Sequence, residues 1–397
     1  MFSWATHNRA GEIIYEQIGD LRIRASIITY TKASSVDADR DSLILIWGDG
    51  TFSKVARNNG GGNGVIIGPD IKYNIYTFEH TYPSRATYTM SMTDPNRNSG
   101  ILNVNPPNSE IIPFYIETTF SFLNATFQGF NNAPKLLQPP IDVGCVGQRF
   151  THNPNAFDID GDSLVYELVI PQQGVGSVVP NYIFPDQILP GANNLLTLDS
   201  KTGDLVWDAP RKAGEYNIAL RISEYRSGVL ISSLVRDMQI LIQVCDNRPP
   251  KVQTIEEVCI VAGQTLTFGV AATDPDGSSQ KVKLTALGGP FVVETGKATF
   301  NVSPNFETPP VNGTFSWTPD CNAINKEYYS VIFKAVDNYS DTTGLADLKT
   351  VRIKVVGPGP ENLTGENAGN GQIRLICPIQ ILKNQKAQLA NTTGNLW

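Results

Sequence analysis

Three aspartates crowd one glycine in FDIDGDSLVYEL, Phe157 to Leu168: Asp158, Asp160 and Asp162 around Gly161. Carboxylates this close repel one another. The stretch therefore holds a cation, or it is a polar turn whose side-chain oxygens cap its own backbone. An EF-hand loop needs glycine sixth, glutamate twelfth and a helix on either side. Counted from Asp158, glycine falls fourth and the twelfth residue is Val169, so the loop is not an EF-hand. A related loop, ATDPDGSSQ from Ala272, carries Asp274 and Asp276, with Ser278 in place of the third aspartate.

Little else in the chain suggests chemistry. The three histidines, His7, His80 and His152, lie in separate segments. There is no GxSxG, HExxH, P-loop or dinucleotide fingerprint. NNGGGNG, Asn58 to Gly64, reads as a hairpin loop without a following helix or a phosphate-binding lysine. No carboxylate pair stands out for glycoside cleavage. The expectation is a chain that is not an enzyme. Its net charge of -7 and pI near 5.1 provide no footprint for nucleic acid or for an anionic membrane. No apolar run approaches the roughly 18 residues that span a bilayer; LILIW, Leu43 to Trp47, is among the longest. MFSWATHNRAGE has no basic-then-apolar leader, so the expectation is a cytoplasmic protein or one whose leader is missing from this sequence.

The elements that position the aspartates are strands. Tyr216, Ile218, Leu220 and Ile222 alternate with Asn217, Ala219 and Arg221. Met238 to Val244 and Tyr329 to Ala335 alternate likewise. Successive side chains on a strand point to opposite faces, which predicts one core face and one wet face for each run. Gly19-Asp20, Gly48-Asp49-Gly50, Gly203-Asp204 and Pro275-Asp276-Gly277 punctuate them as turns. Many short strands with such turns predict an all-β chain of sandwiches, not βαβ units.

An internal repeat counts the sandwiches. CVGQRF from Cys145 matches CIVAGQTLTF from Cys259, and GDLVWDAP from Gly203 matches GTFSWTPD from Gly313, at offsets of 110 to 116 residues. Proline-rich seams, NNAPKLLQPP, CDNRPP and GPGPENL, bound the copies and stiffen the joints. The predicted domains are 1–131, 132–247, 248–357 and a tail 358–397, with the sandwiches arranged as a rod.

WGDGTF, Trp47 to Phe52, followed by HTYPSRATYTMSM, His80 to Met92, resembles the PKD-type immunoglobulin-like sandwich, with Pro-Ser-Arg-Ala where that family has a Pro-Gly turn. Gly48 and Gly50 would turn the chain back after a buried strand, and Tyr82 and Tyr88 would pack inward. These motifs, with ATHNRAGEIIYEQIG, MTDPNRNSGILNV, FYIET and the Asp158 segment in order, resemble large surface proteins of Bacteroidota of the gliding-motility-associated kind. That resemblance covers about residues 5 to 360. It implies export by type IX secretion, a cell-surface or extracellular place, and a glycan or protein ligand. The leader and C-terminal sorting domain of that family have no counterpart here. GPGPENLTGENAGNGQIRL starts like a fibronectin type III domain but loses its alternation, which reads as a fragment.

The second and third sandwiches are also similar to cadherin-like repeats, which hold calcium at domain junctions between an Asp/Asn linker and an Asp-x-Asp pair. Asp246 and Asn247 precede Asp274 and Asp276 by about 28 to 30 residues, and Asn131 and Asn132 precede Asp158 and Asp160 by a similar gap. The resemblance implies calcium held by Asn132, Asp158, Asp160 and Asp162, and by Asp246, Asn247, Asp274 and Asp276. The cadherin glutamate motif has no clear counterpart.

Five cysteines agree with export. Cys145 opens the second sandwich and Cys245 closes it. Cys259 opens the third and Cys321 follows its tryptophan strand. The expected bridges are Cys145–Cys245 and Cys259–Cys321, leaving Cys377. Cys245–Cys259, which would lock two domains together, and five reduced thiols are the other readings. The function expected is adhesion, surface display or gliding; the alternative is a carbohydrate-binding accessory fragment of a polysaccharide-degrading protein.

Overall fold

The alternating runs become strands from one end of the chain to the other. The computed structural model describes residues 8–339, 344–359, 364–369 and 372–376. The first sandwich uses β1 (Asn8–Gln17), β2 (Arg22–Lys32), β3 (Ser42–Ile46), β4 (Phe52–Ala56), β5 (Val65–Gly68), β6 (Ile71–Thr81), β7 (Thr87–Asp94) and β8 (Phe114–Ser121). The second uses β9 (Lys135–Leu136), β10 (Val143–Cys145), β11 (Phe150–His152), β12 (Ala156–Phe157), β13 (Ser163–Val169), β14 (Gln172–Gly174), β15 (Ser177–Val178), β16 (Leu196–Leu198), β17 (Leu205–Trp207), β18 (Gly214–Arg226) and β19 (Val229–Gln243). The third uses β20 (Lys251–Gln253), β21 (Glu257–Val261), β22 (Leu266–Thr273), β23 (Val282–Gly288), β24 (Thr299–Asn301), β25 (Val311–Trp317), β26 (Tyr329–Asp337) and β27 (Ala346–Val356).

These are tandem β-sandwiches, but the first two share a sheet. β19 pairs with β18 along its whole length. Its other edge meets β8 at Ser232–Leu234, β1 at Asp237 and Met238, and β10, in parallel, at Leu241–Gln243. No seam therefore separates the first two sandwiches at 131/132, where the sequence places a boundary. The cause is buried polarity that no strand pattern reveals. Arg236 on β19 grips Glu12 on β1 through Nη2, 2.6 Å from Oε1. Arg97, from the first sandwich, donates to Asp237 at 2.9 Å and to Asn217 at 3.0 Å.

The shared sheet also changes which faces are wet. Asn217 and Ala219, expected outside, are buried, because the first sandwich covers that side of β18. Asn217 meets its hydrogen-bonding needs with Asn103 and Asp237. On β2, Ile23, Ala25 and Ile27 face one core, whereas Ile28 and Tyr30 face a second core built with Ile218, Leu220 and Ile240.

The first sandwich packs as its motifs imply. Trp47 is buried, and Tyr82 and Tyr88 turn inward with ring centroids 4.3 Å apart. Gly48 has φ 86°, and a Cβ there would stand 2.4 Å from the Thr89 carbonyl oxygen, so the GDG turn admits no other residue at that point. His80 stacks on Trp47 and bonds Asp49 at 2.7 Å, a structural role.

The repeat is visible in register. Phe150 lies opposite Trp207, as Leu266 lies opposite Trp317. Cys145 pairs in parallel with Gln243, as Cys259 does with Lys354. The third sandwich closes over Phe268, Phe315, Trp317 and Phe333.

A separate unit, Gly357–Trp397, contains an antiparallel pair, β28 (Thr364–Gly369) with β29 (Gln372–Ile376). Most of the expected tail, with Cys377, lies outside the described residues, as does His7.

Candidate metal centre

The Asp158 loop is a strand-to-strand turn. β12 leads in, Gly161 turns at φ 80°, and β13 starts at Ser163. The Asp162 N–H donates to Asp158 Oδ1 at 2.9 Å, so the turn does cap itself. That bond satisfies one oxygen only. Asp158 Oδ2 is buried without a partner.

A fourth carboxylate completes the site. Ligand oxygens of Asp158, Asp160, Asp162 and Glu224 lie within 4.8 Å of one another, the only such group of three or more His, Cys, Asp or Glu among the described residues. Glu224 sits on β18 and is 0% exposed, and neither of its carboxylate oxygens has a partner. It was missed in the sequence, although a signal exists. Tyr216, Ile218, Leu220 and Ile222 all point inward, and the same period of two carries Glu224 inward as well. An acid at a core position demands a compensating charge or a proton.

The loop's other partners are already engaged. Arg226 holds Asp162 with Nε 2.8 Å from Oδ1, and its remaining N–H groups donate to Gln128 O, Phe130 O and Asn131 Oδ1. Asn132 donates to Asp160 from its backbone N–H at 2.7 Å and from its side chain at 3.1 Å. The Asn132 Oδ1 accepts from Gln17 N–H at 2.9 Å, so Asn132 presents donors to the cluster, not the ligand oxygen expected of it.

One guanidinium faces four carboxylates. Burial first, then the charges of Asp160 and Asp162, push the Asp158 carboxyl up to about 7. Burial, then Asp158 and Asp162, push Glu224 up to about 10. Burial also raises Asp160. Two protons can thus stand where a divalent cation would.

The donor set fits a hard cation. It is all oxygen, with free atoms on Asp158 and Glu224, and it holds no imidazole or thiolate that would select zinc or copper. Ser232 Oγ, directly across the hairpin from Glu224, is likewise buried without a partner.

The second junction is arranged differently. Arg248 takes Asp276 through Nε at 2.7 Å and through its backbone N–H at 2.8 Å. Asp274 Oδ1 accepts from Asp276 N–H, while its Oδ2 is buried and free. Asn247 donates to Asp337 at 2.9 Å, and its oxygen is taken by Gln280. Asp246 uses its backbone N–H on the Tyr339 hydroxyl. No group of three carboxylates gathers there among the described residues.

Cys145 and Cys245 form a disulfide, their Cα atoms 5.9 Å apart. Cys259 and Cys321 are exposed and unpaired, so neither the expected bridge between them nor Cys245–Cys259 is made. Register supplies the reason. Cys245 lies two residues beyond the strand partner of Cys145, and the same step from Lys354 reaches Val356. The site where Cys259 would find a partner holds a valine.

No family model matches the chain, and no curated protein matches it. Solved structures share the sandwich build at low similarity. The sialic acid binding region of a Streptococcus sanguinis SK1 adhesin is 15% identical over 30% of this chain and 34% of its own, with TM-score 0.21. Human CDH23 EC21-23 is 17% identical over 58% of this chain and 76% of its own, with TM-score 0.21. The titin A168169 segment is 12% identical over 56% of this chain and 99% of its own, with TM-score 0.19. The chain spans about a third of the first of these. At such TM-scores nothing about ligand or partner carries across. No helix among the described residues is long and apolar enough to cross a membrane.

Proposed function

We propose that the chain is a non-enzymatic protein of the cell surface or extracellular space, serving adhesion or surface display, and that its Asp158 loop holds calcium. The observation that carries the cation is the buried, unpartnered pair Glu224 and Asp158 beside Asp162. Those two carboxylates would be the principal ligands. Asp162 would share its charge between the ion and Arg226, and Asp160 would close the exposed side. Calcium tolerates six to eight oxygens in flexible geometry, which suits an irregular cluster better than the strict octahedron magnesium requires.

The Cys145–Cys245 disulfide supports an oxidising compartment. Membership among Bacteroidota gliding-associated surface proteins, export through the type IX machinery, and a glycan or protein ligand rest on the order of sequence motifs.

Thermal unfolding with calcium, with magnesium and with excess chelator tests the ion. The midpoint falls on chelation and recovers with calcium; an unchanged midpoint sinks the calcium reading. Protease shaving of intact cells tests location, and a chain protected until lysis argues against the surface.

A carbohydrate-binding role is the second reading. An open groove of about 580 Å³ beside the cluster is lined by Phe130, Asp160, Arg226, Lys326 and Glu327. Phe127 nearby is 84% exposed. Sugars stack on exposed aromatic rings, and silence on a glycan array would remove this reading.

A further inference from the structure

The second and third sandwiches meet through both polar and apolar contacts. Thr350 on β27 donates to Asp204 at 2.6 Å, and Phe157 stacks on Tyr329 with centroids 6.2 Å apart. Within this contact one carboxylate is divided between the two sandwiches. Asp142 Oδ2 lies 3.0 Å from His152 Nδ1 on β11, and Asp142 Oδ1 pairs with Lys334 Nζ on β26. His152 has no exposed side-chain surface, and its Nε2 has no partner.

The surroundings select the neutral ring. Nδ1 carries the hydrogen, because it faces a carboxylate, and Nε2 is left as a bare lone pair. Facing the ring are Lys334 from β26 and Arg236 from β19, the latter paired with Glu12 from β1. A cavity of about 140 Å³ beside it is lined by Arg149, Asp204 and Lys349. Asp204 accepts from Asn153 and Thr350 on Oδ1 and from Thr202 on Oδ2, and it makes no hydrogen bond to His152 Nε2. A proton on Nε2 would add a third buried positive charge to Lys334 and Arg236, against the two carboxylates Asp142 and Glu12, with no acceptor from the protein for its hydrogen.

We propose that the His152–Asp142–Lys334 cluster makes the docking of the third sandwich on the second acid-sensitive, protonation of His152 releasing the contact that Lys334 makes with Asp142. Burial holds the His152 imidazole below its ordinary range, against the pull of Asp142. Lys334, which the third sandwich brings, is among the groups that lower His152, so docking weakens as pH falls below the undocked value, taken as the ordinary histidine value of about 6.5. Asp142, held down to about 2 mainly by Lys334 and His152 against its burial, gives way only at far lower pH. Below about pH 6.5, His152 is therefore the group of this cluster whose proton uptake opposes docking.

Hydrogen exchange on the full chain, corrected for intrinsic rates, reads the contact on both sides, at 150–152 and at 346–350. Protection there falls by up to about tenfold per pH unit below about 6.5, the limit for one proton. His152→Asn keeps a donor near Nδ1 and abolishes that slope. Protection unchanged between pH 7.5 and 5, or a loss undiminished in the Asn variant, overturns the proposal. Should the variant misfold, the ring resonance of His152 in the unaltered chain decides: a midpoint below about 6.5 supports it, and one at or above that value overturns it.

Discussion

Glu224 stands directly opposite Ser232 on the β18–β19 hairpin, and none of their side-chain oxygens has a partner in the protein. Both are buried where two sandwiches share one sheet. Asp158 adds a third unsatisfied residue, so unmet hydrogen-bonding capacity gathers in one place, with acidic charge far exceeding the single Arg226. Folding would not leave such a place uncompensated without an occupant, whether protons or a metal.

Glu224→Gln separates those two occupants. At neutral pH without metal Glu224 already carries a proton, so Gln is nearly isosteric and isoelectronic with what is there. The metal-free midpoint should shift by no more than about 2 °C, within the ordinary effect of a sub-kilocalorie change. The rise on adding calcium should disappear. Differential scanning calorimetry of both proteins with and without calcium measures this.

The metal-free protein should become more stable on mild acidification. Asp158 and Glu224 are raised in the folded state above their unfolded values, so the fold favours their protonated forms. That contribution is complete below the unfolded carboxylate range near pH 4 and is lost as pH climbs through about 7 for Asp158 and about 10 for Glu224. Urea midpoints taken from pH 5 to pH 8 under chelation should decline. Saturating calcium should flatten the slope, since the metal replaces the protons. This sign is opposite to that of His152, and the Asn variant distinguishes them.

The first two sandwiches should unfold together. Arg236→Met leaves Glu12 buried and uncompensated, at a cost of about 3–5 kcal/mol. Because Arg236 lies on the strand that both sandwiches share, the loss should appear in exchange rates over 8–121 as well as over 163–243. Unfolding confined to one of these ranges would contradict a common sheet.

Thiol chemistry should divide the cysteines. Native protein should react with a maleimide at Cys259 and Cys321, and at Cys145 and Cys245 only after reduction. Reduction should cost roughly 2–5 kcal/mol, read as a lower denaturation midpoint. Peptide mapping by mass spectrometry identifies the labelled positions.

The strands, the Trp207 and Trp317 repeat and the buried Tyr82 and Tyr88 were legible because period-two alternation and turn glycines are local properties. The Asp158 turn was legible too, as three acids around one glycine. Glu224 was not, because its meaning depends on which strand brings it next to Asp158, some sixty residues away. Asn132 was misjudged for a similar reason. Its oxygen is claimed by Gln17, at a separation of 115 residues.

The cysteines show the same division. Cys145 and Cys259 lie on equivalent strands, yet one finds Cys245 and the other has Val356 at the position equivalent to Cys245. By itself the sequence determined an all-β chain of repeated sandwiches and the acidic loop, since alternation, turn chemistry and local repulsion act between near neighbours. Tertiary structure alone decided that β19 joins two sandwiches, that Glu224 completes the carboxylate cluster and that Asp142 is shared with Lys334. Each of those depends on register and ion pairing between residues far apart in the chain, where a local pattern carries no information about the partner.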